Sequence, residues 1–144
     1  MAEDTVVKDS LTDAMIKAGE DLTRKLDEHE WPVVAAFWLY APEQNTWKLL
    51  LASPVVALQG PRRAYQDIQA ALAALPNRQV VPLTLREIEV IEPRHHLVSL
   101  LRTAINTGPT INGIRFTGNV VNGQFINDAY IYRMSDRPPG GQPV

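Results

Sequence analysis

The sequence predicts an α+β fold. It reads as a single domain in the order α-β-β-α-β-α-β-β, a five-stranded mixed sheet with three helices. Three observations predict it. Three segments carry apolar residues at three- and four-residue spacing, the pattern of a helix with one buried face. The run from Val33 to Ala41 is apolar at both parities, as a central strand covered on both faces should be. Asn122-Gly123 stands between two β-rich runs, where a type I′ turn needs positive φ at both corners.

The first helix runs from about Leu11 to Glu28, with Leu11, Ala14, Met15, Ala18, Leu22 and Leu26 on one face. Ser10 is placed to cap it, with Asp13 three residues on in a variant of the capping box. Asp13–Lys17, Glu20–Arg24 and Asp21–Lys25 are spaced as i,i+4 pairs along the solvated face. A hairpin follows: Val33–Ala41, the turn Pro42-Glu43-Gln44-Asn45, then Trp47–Ala52, with Val55–Leu58 continuing the strand beyond Ser53-Pro54.

Gly60-Pro61 opens the second helix, with Pro61 in the tolerated first turn. Tyr65, Ile68, Leu72 and Leu75 form its stripe, and Pro76-Asn77 stops it. A third strand spans roughly Leu85–Ile91. Pro93 opens the third helix, with stripe Leu97, Leu100, Leu101, Ala104 and Ile105, ended by Thr107-Gly108-Pro109. In the last hairpin the two-residue turn pairs Val121 with Gln124, Val120 with Phe125, Phe116 with Ala129 and Ile114 with Ile131, an apolar face. The other face pairs Arg115 with Tyr130, Thr117 with Asp128 and Asn119 with Ile126, and Tyr132 extends it. The domain is 9–134, with flexible termini at 1–8 and 135–144, where polar residues and the Pro/Gly-rich tail lack a core pattern.

Composition narrows the function classes. The chain has 144 residues, 45% hydrophobic and 21% charged, enough for one real core. Without cysteine there is no disulfide scaffold, thiolate zinc site or cysteine nucleophile. No apolar run is long enough to span a membrane, and the acidic start Met1-Ala2-Glu3-Asp4 lacks a signal-peptide core, so a soluble cytoplasmic protein is expected. The elbow, Walker, dinucleotide-binding and zinc-helix motifs are missing, which points away from an enzyme and calls for no cofactor.

The net charge of -2 hides an asymmetry: residues 1–60 hold ten acids against five bases, residues 61–144 six against nine. Every base after Lys48 is arginine, whose planar fork fits carboxylate and phosphate. Two helix starts carry the charge opposite to what the helix dipole favours: Arg62 and Arg63 after Pro61, and Arg94, His95 and His96 after Pro93. Together with free N–H groups they form two anion cradles, which parallel crossovers would set near one rim of the sheet. Arg63 can instead reach Asp67, and Arg94 can fold back on Glu92. Arg115 and Tyr130 offer a cation–π pair on the hairpin face, a surface that could stack unpaired bases but lacks the RNP signature. Adjacent histidines on a helix diverge by about 100°, so His95 and His96 do not share a metal, and no metal site is expected.

The leading reading is a small non-enzymatic module that binds an anionic small molecule or an acidic protein through Arg62, Arg63, Arg94 and Arg115. The first alternative is a metal-dependent phosphoester hydrolase or nuclease. In it Glu87 and Glu89, on one face of the third strand, hold Mg²⁺ and a histidine moves protons. The second is a structural homodimer joined through the hairpin face, with Trp31, Trp38, Trp47 and Tyr40 divided between core and interface.

Overall fold

Phe37 and Trp38 are neighbours in sequence, and because side chains alternate along a strand they enter different cores. Their strand is β1 (Ala35–Ala41). It sits between β2 (Thr46–Ala52) and β5 (Gln124–Met134), with β3 (Ile88–Ile91) beyond β2 and β4 (Ile114–Val121) beyond β5. The sheet order is β3-β2-β1-β5-β4. The β2–β3 pair is parallel and the others antiparallel. These strands, four α-helices and one 3-10 turn make up the regular structure of the described residues, 10–76 and 83–140, in this computed structural model. The expected loose segment 1–8, the helix stop at Asn77 and the end of the tail, 141–144, lie outside the described residues.

One face of the sheet is covered by α1 (Asp13–Glu28) and α3 (Pro61–Ala73). Ala18, Leu22 and Leu26 from the first, and Ala64, Ile68 and Leu72 from the second, pack with Trp38, Leu49, Leu51 and Tyr132. The other face is covered by α4 (His96–Ala104), whose Val98 and Leu101 meet Ala35, Phe37, Leu50 and Ile131. Each of the larger aliphatic and phenylalanine side chains among them contributes about 1.5–3 kcal/mol by leaving water. The double-faced burial expected of β1 is therefore present, and Trp31, Trp38 and Trp47 all belong to the core on the α1 side.

The α+β class, the element order and the five-stranded mixed sheet agree with expectation. A fourth helix does not. Val55–Gln59 is a short helix, α2, rather than an extension of β2. Pro54 adopts φ -64° and ψ -15°, and the Val55 N–H donates to Ser53 Oγ at 3.2 Å, so the chain turns immediately after β2. The third strand starts at Ile88 because Leu85–Glu87 form a 3-10 turn. Thr84 and Glu87 close it as a capping box, the Thr84 N–H donating to Glu87 Oε1 at 2.8 Å. The cap of α1 is Thr12, not Ser10: its Oγ1 accepts from the Met15 N–H at 3.1 Å, which leaves Asp13 at the first helical position. Of the three expected ion pairs on that helix, Glu20–Arg24 forms, while Lys17 pairs with Asp21 and Lys25 with Glu28.

The final hairpin keeps the expected register along its whole length. Its apolar face is nevertheless broken. Gly118 takes φ +59°, and beyond it the burial parity inverts. Val120 and Phe125, cross-strand partners, are 66% and 57% exposed, whereas Ile126 joins the core on the α4 side. A second irregularity lies between β1 and β5, where Ala36 pairs with Arg133 but Phe37 pairs with Ile131. Tyr132 is the extra residue of this bulge, so Tyr132 and Arg133 both serve the α1 side of the sheet.

Candidate functional site

Because β2 and β3 are parallel, both end at the same rim of the sheet. From β2 the chain passes through α2 to α3 on one face, and from β3 it passes to α4 on the other. Adjacent parallel strands whose connections leave to opposite faces open a crevice at their carboxyl ends, the place where open sheets bind ligands. Such a crevice is present here. A cleft of about 360 Å³ is lined by Val56 of α2, Val90 and Ile91 of β3, and Glu92, Arg94 and His95. The Ser53 N–H donates to the Ile91 carbonyl at 3.0 Å and ties the two strand ends together beside it.

Glu92-Pro93-Arg94-His95 is a β-turn closed by the His95 N–H on the Glu92 carbonyl at 3.0 Å, with Pro93 at the corner that suits it. The expected helix start at Pro93 is therefore displaced. The helix begins at His96, and His95 is its cap, accepting from the Leu97 N–H through Nδ1 at 3.1 Å. With Nδ1 an acceptor, the neutral ring carries its proton on Nε2, an assignment that follows from the hydrogen bond. The His96 ring stacks on it, with centroids 4.7 Å apart. Arg94 consequently stands outside the first turn, and the reversed-dipole arrangement applies to α3 alone.

The other sequence-predicted residues do not converge on this cleft. Arg63 Nε donates to Asp67 Oδ1 at 3.1 Å, one turn along α3. Arg62 lines a separate cleft with Tyr65, Gln66, Gln69 and Leu85. The two helix starts do share a rim but lie on opposite faces of the sheet, so they do not form one double cradle. Arg115 forks onto Asp128, with Nε and Nη2 each 2.7 Å from a carboxylate oxygen, and its guanidinium lies 5.5 Å from the centre of the Trp47 ring. The stacking partner is thus Trp47 rather than Tyr130, although Tyr130 is its cross-strand neighbour. Tyr130 instead meets Tyr132 edge to face at 5.4 Å. The hydrogen bonds that Arg115 donates to Asp128 are the main cause that raises its guanidinium above the ordinary arginine value.

The carboxylate pair expected on the third strand also separates. Glu87 belongs to the 3-10 turn, where Oε1 accepts from the Thr84 hydroxyl as well as from its N–H. Glu89 alone lies on β3, exposed opposite Leu50. Among the described residues no group of three or more His, Asp or Glu side chains is placed to hold a metal ion, and no helix is long and apolar enough to cross a membrane.

No family model, curated protein or solved structure matches this chain.

Sequence reasoning missed two participants. Glu92 enters the cleft because Pro93 turns the chain there, and the Glu-Pro-Arg-His spacing carried that signal. Asp128 captures Arg115 from the neighbouring cross-strand position opposite Thr117, a diagonal that the register already defined.

Proposed function

We propose that this protein is a small binding module that recognises the anionic group of a ligand at the carboxyl rim of β2 and β3, with Arg94 as the principal contact. One observation carries the reading: among the described residues Arg94 has no ion pair, while it lines the switch-point cleft. Arg63, Arg115 and Arg133 are each engaged by a carboxylate of the chain itself. A guanidinium left with its fork available beside an apolar floor suits a carboxylate or phosphate oxygen. His95 adds a second polar group at the same wall.

Calorimetric titration with acetate and with inorganic phosphate at two salt concentrations tests the reading. Binding that weakens with salt, persists in Arg63→Ala and disappears in Arg94→Ala is the expected result. Equal loss in both variants, or no binding of either anion or of any larger carboxylate-bearing probe, overturns it.

A second reading, association of two copies through the β4 edge, is favoured by the Val120–Phe125 pair, the one cross-strand apolar pair with both members largely exposed among the described residues. A sedimentation mass of two chains that reverts to one in Phe125→Lys is expected under it, and a single-chain mass at high concentration removes it.

A further inference from the structure

Taking the cleft above as the binding site, we infer that its ligand is a small zwitterion with an apolar side chain, a free amino acid or a compound of that form. Glu92 decides the form of the ligand. It lines the same cleft as Arg94, two residues away, yet among the described residues neither is ion-paired, to the other or to anything else. An exposed ion pair between them would contribute only about 0–1 kcal/mol, so both side chains stay available to a ligand. Here the turn closed from His95 to the Glu92 carbonyl places Pro93 between them, and the ring fixes φ. The two opposite charges stand unpaired in the lining of one cleft.

A purely anionic ligand on Arg94 would face the Glu92 carboxylate, and a purely cationic one on Glu92 would face the guanidinium. A ligand carrying both charges satisfies each side chain: its carboxylate accepts from Arg94, and its ammonium donates to Glu92. Apart from His95, the rest of the lining is aliphatic, with Val56 contributed by α2 and Val90 and Ile91 by β3. A branched aliphatic side chain would leave water against these residues at roughly 25 cal/mol per Å² of area covered. The volume, about 360 Å³, lies near the lower end of the range of small-molecule sites, which suits a metabolite of amino-acid size.

The experiment compares four probes by calorimetry on the full chain: L-leucine, 4-methylpentanoate, which lacks the ammonium, 3-methylbutylamine, which lacks the carboxylate, and inorganic phosphate. Leucine is expected to bind at least tenfold tighter than the other three. Glu92→Gln should bring leucine down to the level of 4-methylpentanoate, and Arg94→Ala should abolish both. Both side chains are exposed, and unchanged circular dichroism would confirm that the variants fold. If 4-methylpentanoate or phosphate binds as tightly as leucine, the zwitterion inference is wrong while the anion-binding reading stands. If 3-methylbutylamine binds best, or no probe binds, both fall.

Discussion

Arg133 lies at 1% side-chain exposure and forks onto Asp27, with Nη2 2.8 Å from Oδ2 and Nη1 3.1 Å from Oδ1. It also donates to the Val33 carbonyl at 3.2 Å, so one buried cation joins β5, the end of α1 and the entry to β1. Its Nε is buried without a hydrogen-bond partner among the described residues, so Asp27 is the only carboxylate shown balancing the charge.

Removing Asp27 leaves that cation uncompensated. Asp27→Ala is expected to destabilise the fold by about 3 kcal/mol, the lower end for a broken buried pair because the carboxylate itself is partly exposed. Arg133→Met, which removes the charge and keeps the stem, should cost less than Asp27→Ala in urea unfolding. The reverse order would show that packing of the Arg133 stem matters more to stability than the charge pair does.

Gly19 sits under the ring of Tyr132. A β-carbon there would lie 2.9 Å from Trp38 Nε1 and closer still to the Tyr132 hydroxyl. In an exposed helix glycine to alanine is stabilising by up to about 1 kcal/mol. Here Gly19→Ala is expected to destabilise by about 1–3 kcal/mol through overpacking. Chemical denaturation of Gly19→Ala with and without Tyr132→Phe measures it, and the second change should recover part of the loss.

Tyr132 donates to the Ile16 carbonyl at 2.6 Å and accepts from Trp38 Nε1 at 2.9 Å. Burial raises its hydroxyl well above the ordinary tyrosine value of 10.0. A group raised in the folded state contributes stability that is complete below its unfolded value and is lost as the pH rises towards the folded one. Unfolding free energy is therefore expected to fall as the pH rises above about 10, and the slope should flatten in Tyr132→Phe. Equal slopes in the two proteins, measured by urea unfolding from pH 9 to 11.5, would refute the assignment.

Arg115 covers a carboxylate that is 2% exposed and also accepts from the Thr117 hydroxyl at 3.0 Å. Arg115→Ala should cost about 1.5–3 kcal/mol, the range for hydrogen bonds to charged groups. It should leave anion binding unchanged. A loss of binding with no loss of stability would return Arg115 to the functional site.

The register of the last hairpin is legible in the sequence because a two-residue Asn-Gly turn allows one alignment, and every pair from Val121–Gln124 to Ile114–Ile131 obeys it. The double-sided burial of β1 is legible for a similar reason, since its apolar residues fill both parities. The start of α4 is not. Pro93 suits the corner of a turn and the first position of a helix equally well, and the deciding contact is a histidine ring acting as the cap. The short helix α2 is hidden because a four-residue apolar run fits a strand or a helix. The site is half legible: charge at the helix starts selects Arg94 and His95, but groups them with Arg62 and Arg63, whose position on the opposite face depends on where the chain crosses the sheet.

The middle of the sheet is built from the two distant parts of the chain. β1 hydrogen-bonds to β5, and Trp38 meets Tyr132 across 94 positions of sequence. A nascent chain that has completed α1, the first hairpin and α3 still lacks a partner for one side of β1. The pairing that completes the middle of the sheet therefore waits until residues near Met134 arrive, and such non-local pairings form more slowly than local ones. Until then the row of peptide groups along β1 stands open, and that interval is when chains are most exposed to mispairing with one another.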